Sequence, residues 1–237
     1  MATASSFPAA AKPSTTDVLL FPSFKRFNGL SNDRETLSTF ATAFLKAKRL
    51  HPFHNELAAE QKQVLLRDES VASSLPQTTP ITTPTILICG HGGRDQRCGT
   101  LGPILRDEFR KQLEIKGIQG DVGLISHIGG HKYAGNVIIY MPPTSETTTA
   151  RTPASSTTDI DVEKNSLAGS GIWYGRVDPS NVEGIIEETI MKNRIIADLF
   201  RGGITQNGAN LGRMLEEQIG KAKGDDGALK LKPRARG

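Results

Sequence analysis

The sequence predicts an α/β fold in which a mixed sheet carries helices on both faces. Short runs of consecutive apolar and β-branched residues, such as Thr85-Ile-Leu-Ile-Cys89, recur between longer stretches with helical spacing. From Thr85 to Phe200 these segments follow in the order strand, helix, strand, strand, helix, which is the order of a layered α/β domain.

Residues 1–17 are read as a disordered N-terminus. Val18-Leu-Leu-Phe-Pro22 is a short strand ended by proline. Asp33 then precedes an amphipathic helix from Arg34 to Lys48, with Leu37, Phe40, Ala41, Phe44 and Leu45 on one stripe. A second helix covers Glu56 to Arg67, and Ser70 to Pro84, rich in Ser, Thr and Pro, is a linker. Residues 18–84 thus form an N-terminal lobe with its linker, and 85–203 the main domain.

In the main domain, Thr85–Cys89 is bounded by proline and glycine and suits a fully buried strand. The loop from Gly90 to Gly99 follows. Pro103 then opens a helix with Ile104, Leu105, Phe109 and Leu113 on one face and Gly117 as its stop. Val122–Ser126 and Asn136–Met141 are the next strands. Residues 144–170, dominated by Thr, Ser, Ala and charges, are a disordered insertion, after which Ile172–Val177 resumes the sheet. Asp178-Pro-Ser180 starts a helical region with Val182, Ile185, Ile186 and Ile190, broken near Asn193 and continued by Ile195, Ile196, Leu199 and Phe200. Residues 204–237 are a tail with one weak helix around Leu211 to Ile219. The order is compatible with a thioredoxin-like sandwich, although order alone does not decide it.

The chain of 237 residues carries a net charge of +4, and much of the basic excess lies in Lys230-Leu-Lys-Pro-Arg-Ala-Arg-Gly237. A solvated terminus accounts for that tail, and no basic stripe with interleaved aromatics supports a nucleic-acid partner. Two cysteines cannot build a disulfide framework, and no segment reads as a membrane span or secretory signal, so the chain reads as soluble and intracellular. Residues 1–16 lack acids but also lack arginine, a partial fit to an organellar presequence.

The chemistry-bearing residues fall into two pairs. Cys89 and Cys98 flank one glycine-rich loop, and His127 and His131 lie in Ser126-His-Ile-Gly-Gly-His-Lys132. Thiolate and imidazole both bind zinc and iron, so the four suggest a metal site. Eight residues separate the cysteines, wider than a zinc knuckle allows, and Gly129 and Gly130 oppose a regular helix between the histidines. His91 is a local competitor for a ligand role, while His51 and His54 read as structural. A disulfide between the cysteines, or nucleophilic catalysis by Cys98, stays open. Asp95 stands where a dinucleotide loop needs its third glycine, so that motif is not met.

Four segments carry a resemblance: Leu87-Ile-Cys-Gly-His-Gly-Gly-Arg-Asp-Gln-Arg-Cys-Gly99, Ser126-His-Ile-Gly-Gly-His-Lys-Tyr-Ala-Gly-Asn136, Gly171-Ile-Trp-Tyr-Gly-Arg176 and Leu199-Phe-Arg-Gly-Gly203. Together they resemble the sucrase/ferredoxin-like family, from about Val18 to Gly203. The resemblance implies a thioredoxin-like ferredoxin fold with a partial N-terminal lobe and a 2Fe-2S cluster held by Cys89, Cys98, His127 and His131. It further implies electron transfer or redox sensing in mitochondria, with the cytoplasm as the other location, and an unknown redox protein as partner. An electron carrier or redox regulator fits that picture better than an enzyme with its own substrate. The other readings are a thiol-disulfide oxidoreductase using Cys89 and Cys98 and a structural zinc protein. Neutral imidazole ligands would raise the cluster potential above about −400 mV and make it pH-dependent. Family members carry a longer, cysteine-containing region ahead of Val18, whereas seventeen residues without cysteine precede it here.

Overall fold

The computed structural model describes residues 2–8, 10–126, 128, 130–143 and 167–223. They fall into two compact units, one of Pro8–Leu20 with Lys25–Pro80, the other of the first residues to Phe7, Phe21–Phe24 and the chain from Ile81 onward. Among the described residues, no helix is long and apolar enough to cross a membrane.

The smaller unit is an antiparallel sheet of β1 (Thr15–Leu20), β2 (Lys25–Ser31) and β3 (Thr78–Pro80), with β2 central. The sequence reading missed β2 and β3. In β2, Gly29 takes a left-handed φ of +73° and its N–H donates to the Asp17 carboxylate at 2.8 Å, so an irregular backbone hides the strand period. The polar edge strand β3 joins the sheet through its backbone, which composition does not reveal. Asp33 caps α1 (Arg34–Phe40) by accepting the Thr36 N–H at 2.8 Å, and the helix widens into a π-type turn over Ala41–Leu45. Phe27, Leu30 and Phe40 form the core, with edge-on rings of Phe27 and Phe40 5.2 Å apart. The second helix, α2, is Ala59–Leu65.

The larger unit holds a five-stranded mixed sheet, an architecture consistent with the thioredoxin-like fold. Its strands are β4 (Thr85–Cys89), β5 (Asp121–Ile125), β6 (Val137–Met141), β7 (Ser170–Tyr174) and β8 (Phe200–Thr205), in the spatial order β5-β4-β6-β7-β8. β4 and β5 are parallel, joined by the 20-residue crossover helix α3 (Gln96–Ile115), and the remaining pairs are antiparallel. Residues opposite one another share a face, so Ile86, Val122, Ile139 and Ile172 line one side of the sheet. Phe109 and Leu105 of α3 pack there, with Val182 and Ile185 of α4 (Val182–Ile185) and Leu211 of α5 (Leu211–Lys223) in the same core. The other side carries Leu87, Cys89, Ile138 and Tyr140. Within this unit, Phe21 stacks on Tyr140 with centroids 3.7 Å apart, and the Phe7 ring lies on Gly123, where an added methyl would come within 2.7 Å of it.

Several elements differ from the sequence reading. Ala4 and Ser6 are not disordered: the Ser6 N–H donates to the Leu124 carbonyl at 2.8 Å and the Ala4 carbonyl accepts the Ser126 N–H at 2.9 Å. The insertion, whose residues 144–166 lie outside the described ones, ends before Leu167, which is 1% exposed in the core, and Ser170 already belongs to β7. The helical region after Asp178 runs through α4 and a π-type turn over Ile186–Met191. Asn193 then adopts a φ of +53°, and Ile195 and Ile196 are buried without being helical. Phe200 begins a strand instead of ending a helix. α5 is part of the core as well: the Gln218 amide accepts the Ile195 N–H and donates to the Ile195 carbonyl, both at 2.8 Å. Residues 224–237 lie outside the described ones.

The Tyr174 hydroxyl ties these pieces together. It lies 2.7 Å from the Thr189 hydroxyl and accepts the Ile196 N–H at 3.2 Å, while burial pushes its phenol up to about 12, so it stays neutral at physiological pH. Tyr174→Phe strands a buried N–H and a buried hydroxyl, a loss of about 1–3 kcal/mol that urea denaturation will show as a lower midpoint at unchanged slope.

Candidate functional site

Cys89 ends β4, and the chain makes a short loop to Asp95, whose carboxylate accepts the Arg97 N–H at 2.9 Å and caps α3. The helix therefore begins at Gln96, not at Pro103, and Cys98 is a first-turn residue, not a loop residue. Pro103 sits inside the helix, where its ring removes the N–H that would reach the Gly99 carbonyl.

Two glycines of α3 explain how this loop closes. A Cβ on Gly102 would lie 2.8 Å from the Cys89 carbonyl oxygen and 3.0 Å from the Gly90 Cα, and one on Gly99 would lie 2.5 Å from the Gly92 Cα. The helix backbone thus rests directly on the backbone of the strand end and loop. That approach brings the two cysteines side by side. Cys89 is 3% and Cys98 2% exposed, both are free thiols, and the two side chains are neighbours. Burial first, and then the neighbouring Cys89 sulfur, push the Cys98 thiol up to about 11. The loop between the two cysteines carries Gly92, Gly93 and Arg94, all exposed.

β5 runs parallel to β4 with Cys89 opposite Ile125, so the loop of the histidines leaves the sheet beside the first cysteine. His127 and the side chain of His131 lie outside the described residues; the backbone of His131 opens a short 3-10 turn, His131–Tyr133. The His91 carbonyl accepts the N–H groups of Arg94 and Asp95, each at 3.1 Å, shaping the cysteine loop. In the smaller unit, His51 Nδ1 accepts the Phe53 N–H at 3.2 Å within the turn that holds His54.

This arrangement corrects the functional expectation. Among the described residues, no group of three or more His, Cys, Asp or Glu side chains is placed to hold a metal ion. The described donors are two thiols, which do not fit a 2Fe-2S cluster or a structural zinc ion, both of which take four protein ligands. The reading of the chain as an iron-sulfur electron carrier is overturned on that finding.

The sequence reading also passed over a second set of residues. Asn136, 1% exposed, accepts the Cys89 N–H on its carbonyl at 3.0 Å, receives an N–H of the Arg201 guanidinium on Oδ1, and donates from Nδ2 to the Gly130 carbonyl at 3.4 Å. Arg201 in turn lies over the Tyr133 ring, 4.2 Å from its centroid. Asn136 and Arg201 each stand beside glycine in their motifs, Ala134-Gly-Asn136 and Arg201-Gly-Gly203, and that pairing was the available signal.

A family model described as sucrase/ferredoxin-like matches residues 1–202. Three similar proteins carry the name "Altered inheritance of mitochondria protein 32". The one from Debaryomyces hansenii is 39% identical over 156 residues, 65% of this chain and 45% of that protein. The one from Clavispora lusitaniae is 43% identical over 129 residues, 53% of this chain and 37% of that protein. The one from Meyerozyma guilliermondii is 34% identical over 198 residues, 81% of this chain and 57% of that protein. The chain thus spans about half the length of these relatives.

Gly102→Ala forces the helix off the strand end, costing about 1–3 kcal/mol and speeding reaction of both thiols with an aromatic disulfide reagent. In the native protein, iodoacetamide alkylation of Cys98 will climb about tenfold per pH unit toward its pKa of about 11, whereas in urea it will level off near the ordinary thiol value of 9.0. The raised pKa also means that its stabilising contribution is complete below pH 9.0 and lost as pH rises through about 11.

Proposed function

We propose that this chain, which belongs to the sucrase/ferredoxin-like family, is a redox protein whose centre is the buried dithiol of Cys89 and Cys98. The observation that carries the reading is the adjacency of two free, buried thiols at one strand-to-helix junction. Two adjacent thiols are the reduced half of a disulfide couple. With a small-molecule disulfide as oxidant, one thiolate attacks a sulfur of the reagent and releases one small thiol. The second thiolate then attacks the mixed disulfide and releases the other. The two cysteines lose two electrons and two protons, which the two released thiols carry.

Burial defines when such a step occurs. Both cysteines are buried and the Cys98 thiol is held protonated, so reaction requires the Gly92–Arg94 loop to lift from the first turn of α3. The pair then behaves as a protected dithiol, suited to regulation or slow relay more than to rapid turnover.

His127 and His131, on the loop that leaves the sheet beside Cys89, are proposed to serve the same centre. The ferredoxin-like wording of the family description hints at a cofactor, and the finer identity read from sequence is a 2Fe-2S cluster. The two described thiols do not by themselves fit one. Association with mitochondria is proposed from the names of the relatives.

Anaerobic purification followed by thiol titration and an absorption spectrum tests this reading. The expected result is a colourless protein with two titratable thiols that a small disulfide converts to one intramolecular disulfide, a reaction abolished in Cys98→Ser. A visible iron-sulfur spectrum that disappears in Cys89→Ser and changes in His131→Ala would overturn the dithiol reading in favour of the cluster.

A further inference from the structure

Beside the turn that carries Tyr133 lies a cleft of about 290 Å³, lined by Tyr133, Gly175, Arg176, Asp198 and Arg201 among others. Its volume is close to the lower end for small-molecule sites. Three cations surround one ring: the Arg201 guanidinium 4.2 Å from the Tyr133 centroid, the Lys132 ammonium 5.0 Å and the Arg176 guanidinium 5.3 Å. The ion pairs of the described residues join other side chains and leave Arg176 and Arg201 unmatched by a carboxylate. Cation–π attraction supplies only about 0.5–1 kcal/mol per partner at exposed positions, and the cations repel one another.

The backbone adds a second observation. Arg176 has a φ of +60°, a left-handed conformation that glycine adopts freely and that costs another residue about 1–3 kcal/mol. The turn is held there by the Arg176 N–H on the Tyr133 carbonyl at 3.4 Å and the Val177 N–H on the Gly135 carbonyl at 3.1 Å. Strain, an exposed guanidinium and an unmatched charge therefore coincide at one residue. Arg201 is fixed differently, by stacking on Tyr133 and by its bond to buried Asn136, with Gly175 leaving room for its side chain. Two guanidinium groups held beside one cleft are a prepared receptor for a group with paired oxygens.

We propose that this cleft binds an oxyanion, the carboxylate or phosphate of a small molecule, between Arg176 and Arg201 with Tyr133 as its floor. Asp198, the carboxylate among its lining residues, weakens binding of the more highly charged anions. The site does not depend on the dithiol reading, although Asn136 touches both: its side chain holds Arg201 and its carbonyl holds the Cys89 N–H.

The test is calorimetric titration of the full chain with inorganic phosphate and with succinate, each against sodium chloride at matched ionic strength. Saturable binding of either anion is expected. Phosphate alone would mark a phosphoryl ligand, and succinate alone a carboxylic acid. Arg176→Gly is expected to weaken binding about tenfold, the loss of one charge-assisted hydrogen bond, while its thermal midpoint holds or rises because the left-handed position is relieved. Asp198→Asn is expected to tighten phosphate binding. Heats matched by chloride, or affinities unchanged in both Arg176→Gly and Arg201→Lys, would overturn the proposal. So would a falling midpoint in Arg176→Gly, which would make the guanidinium a structural prop.

Discussion

Where α3 touches the end of β4, the contact is backbone on backbone. Gly99 and Gly102 have no side chain to hold the helix away, so its first turns rest on Cys89, Gly90 and Gly92. Glycine inside a helix costs about 1 kcal/mol against alanine, and Pro103 removes a further hydrogen bond, so this stretch is a poor helix in isolation. Packing against the strand end makes up the difference. Once the helix lies there, Asp95 becomes its cap, Cys98 faces Cys89, and the loop between them can only arch outward.

The sheet supplies the rigid footing for that contact. β4 is an interior strand, flanked by β5 in parallel and β6 in antiparallel register, and all five of its residues are buried. Its first neighbour sets where the histidine loop departs, and its second is preceded by Asn136, whose carbonyl holds the Cys89 N–H. The loops that carry chemistry therefore leave from adjacent strand ends, the position where open α/β sheets place their sites.

Legibility in the sequence followed the source of each element's stability. β4, β5 and β6 were readable to within a residue because consecutive apolar side chains are both the cause of the strand and its signature. β8 was not, since Gly202 and Gly203 stand opposite Trp173 and Ile172, and small residues that accommodate large partners look like a turn when read alone. Ile195 and Ile196 continued a helical stripe in sequence but are buried from an irregular segment, where tertiary packing overrides the period. At the site, the cysteine pair was evident from residue type, whereas the helical setting of Cys98 was masked by the glycines that create it. Tyr133, Arg176 and Arg201 meet only through the pairing of distant strands, and spacing along the chain carries no trace of that meeting.

The pairing of Ala4 and Ser6 with β5 bears on how the chain assembles during synthesis. The Ala4 N–H donates to the Ser126 hydroxyl across a separation of 122 residues, so this segment, made well before β5, must wait for that strand. Loop-closure entropy rises only slowly with length, about 0.6 kcal/mol for each doubling, so the wait itself is thermodynamically mild. Its benefit is timing. When β5 leaves the ribosome, a partner for its outer edge has already been made, and the bare strand edge that invites association between nascent chains need not persist.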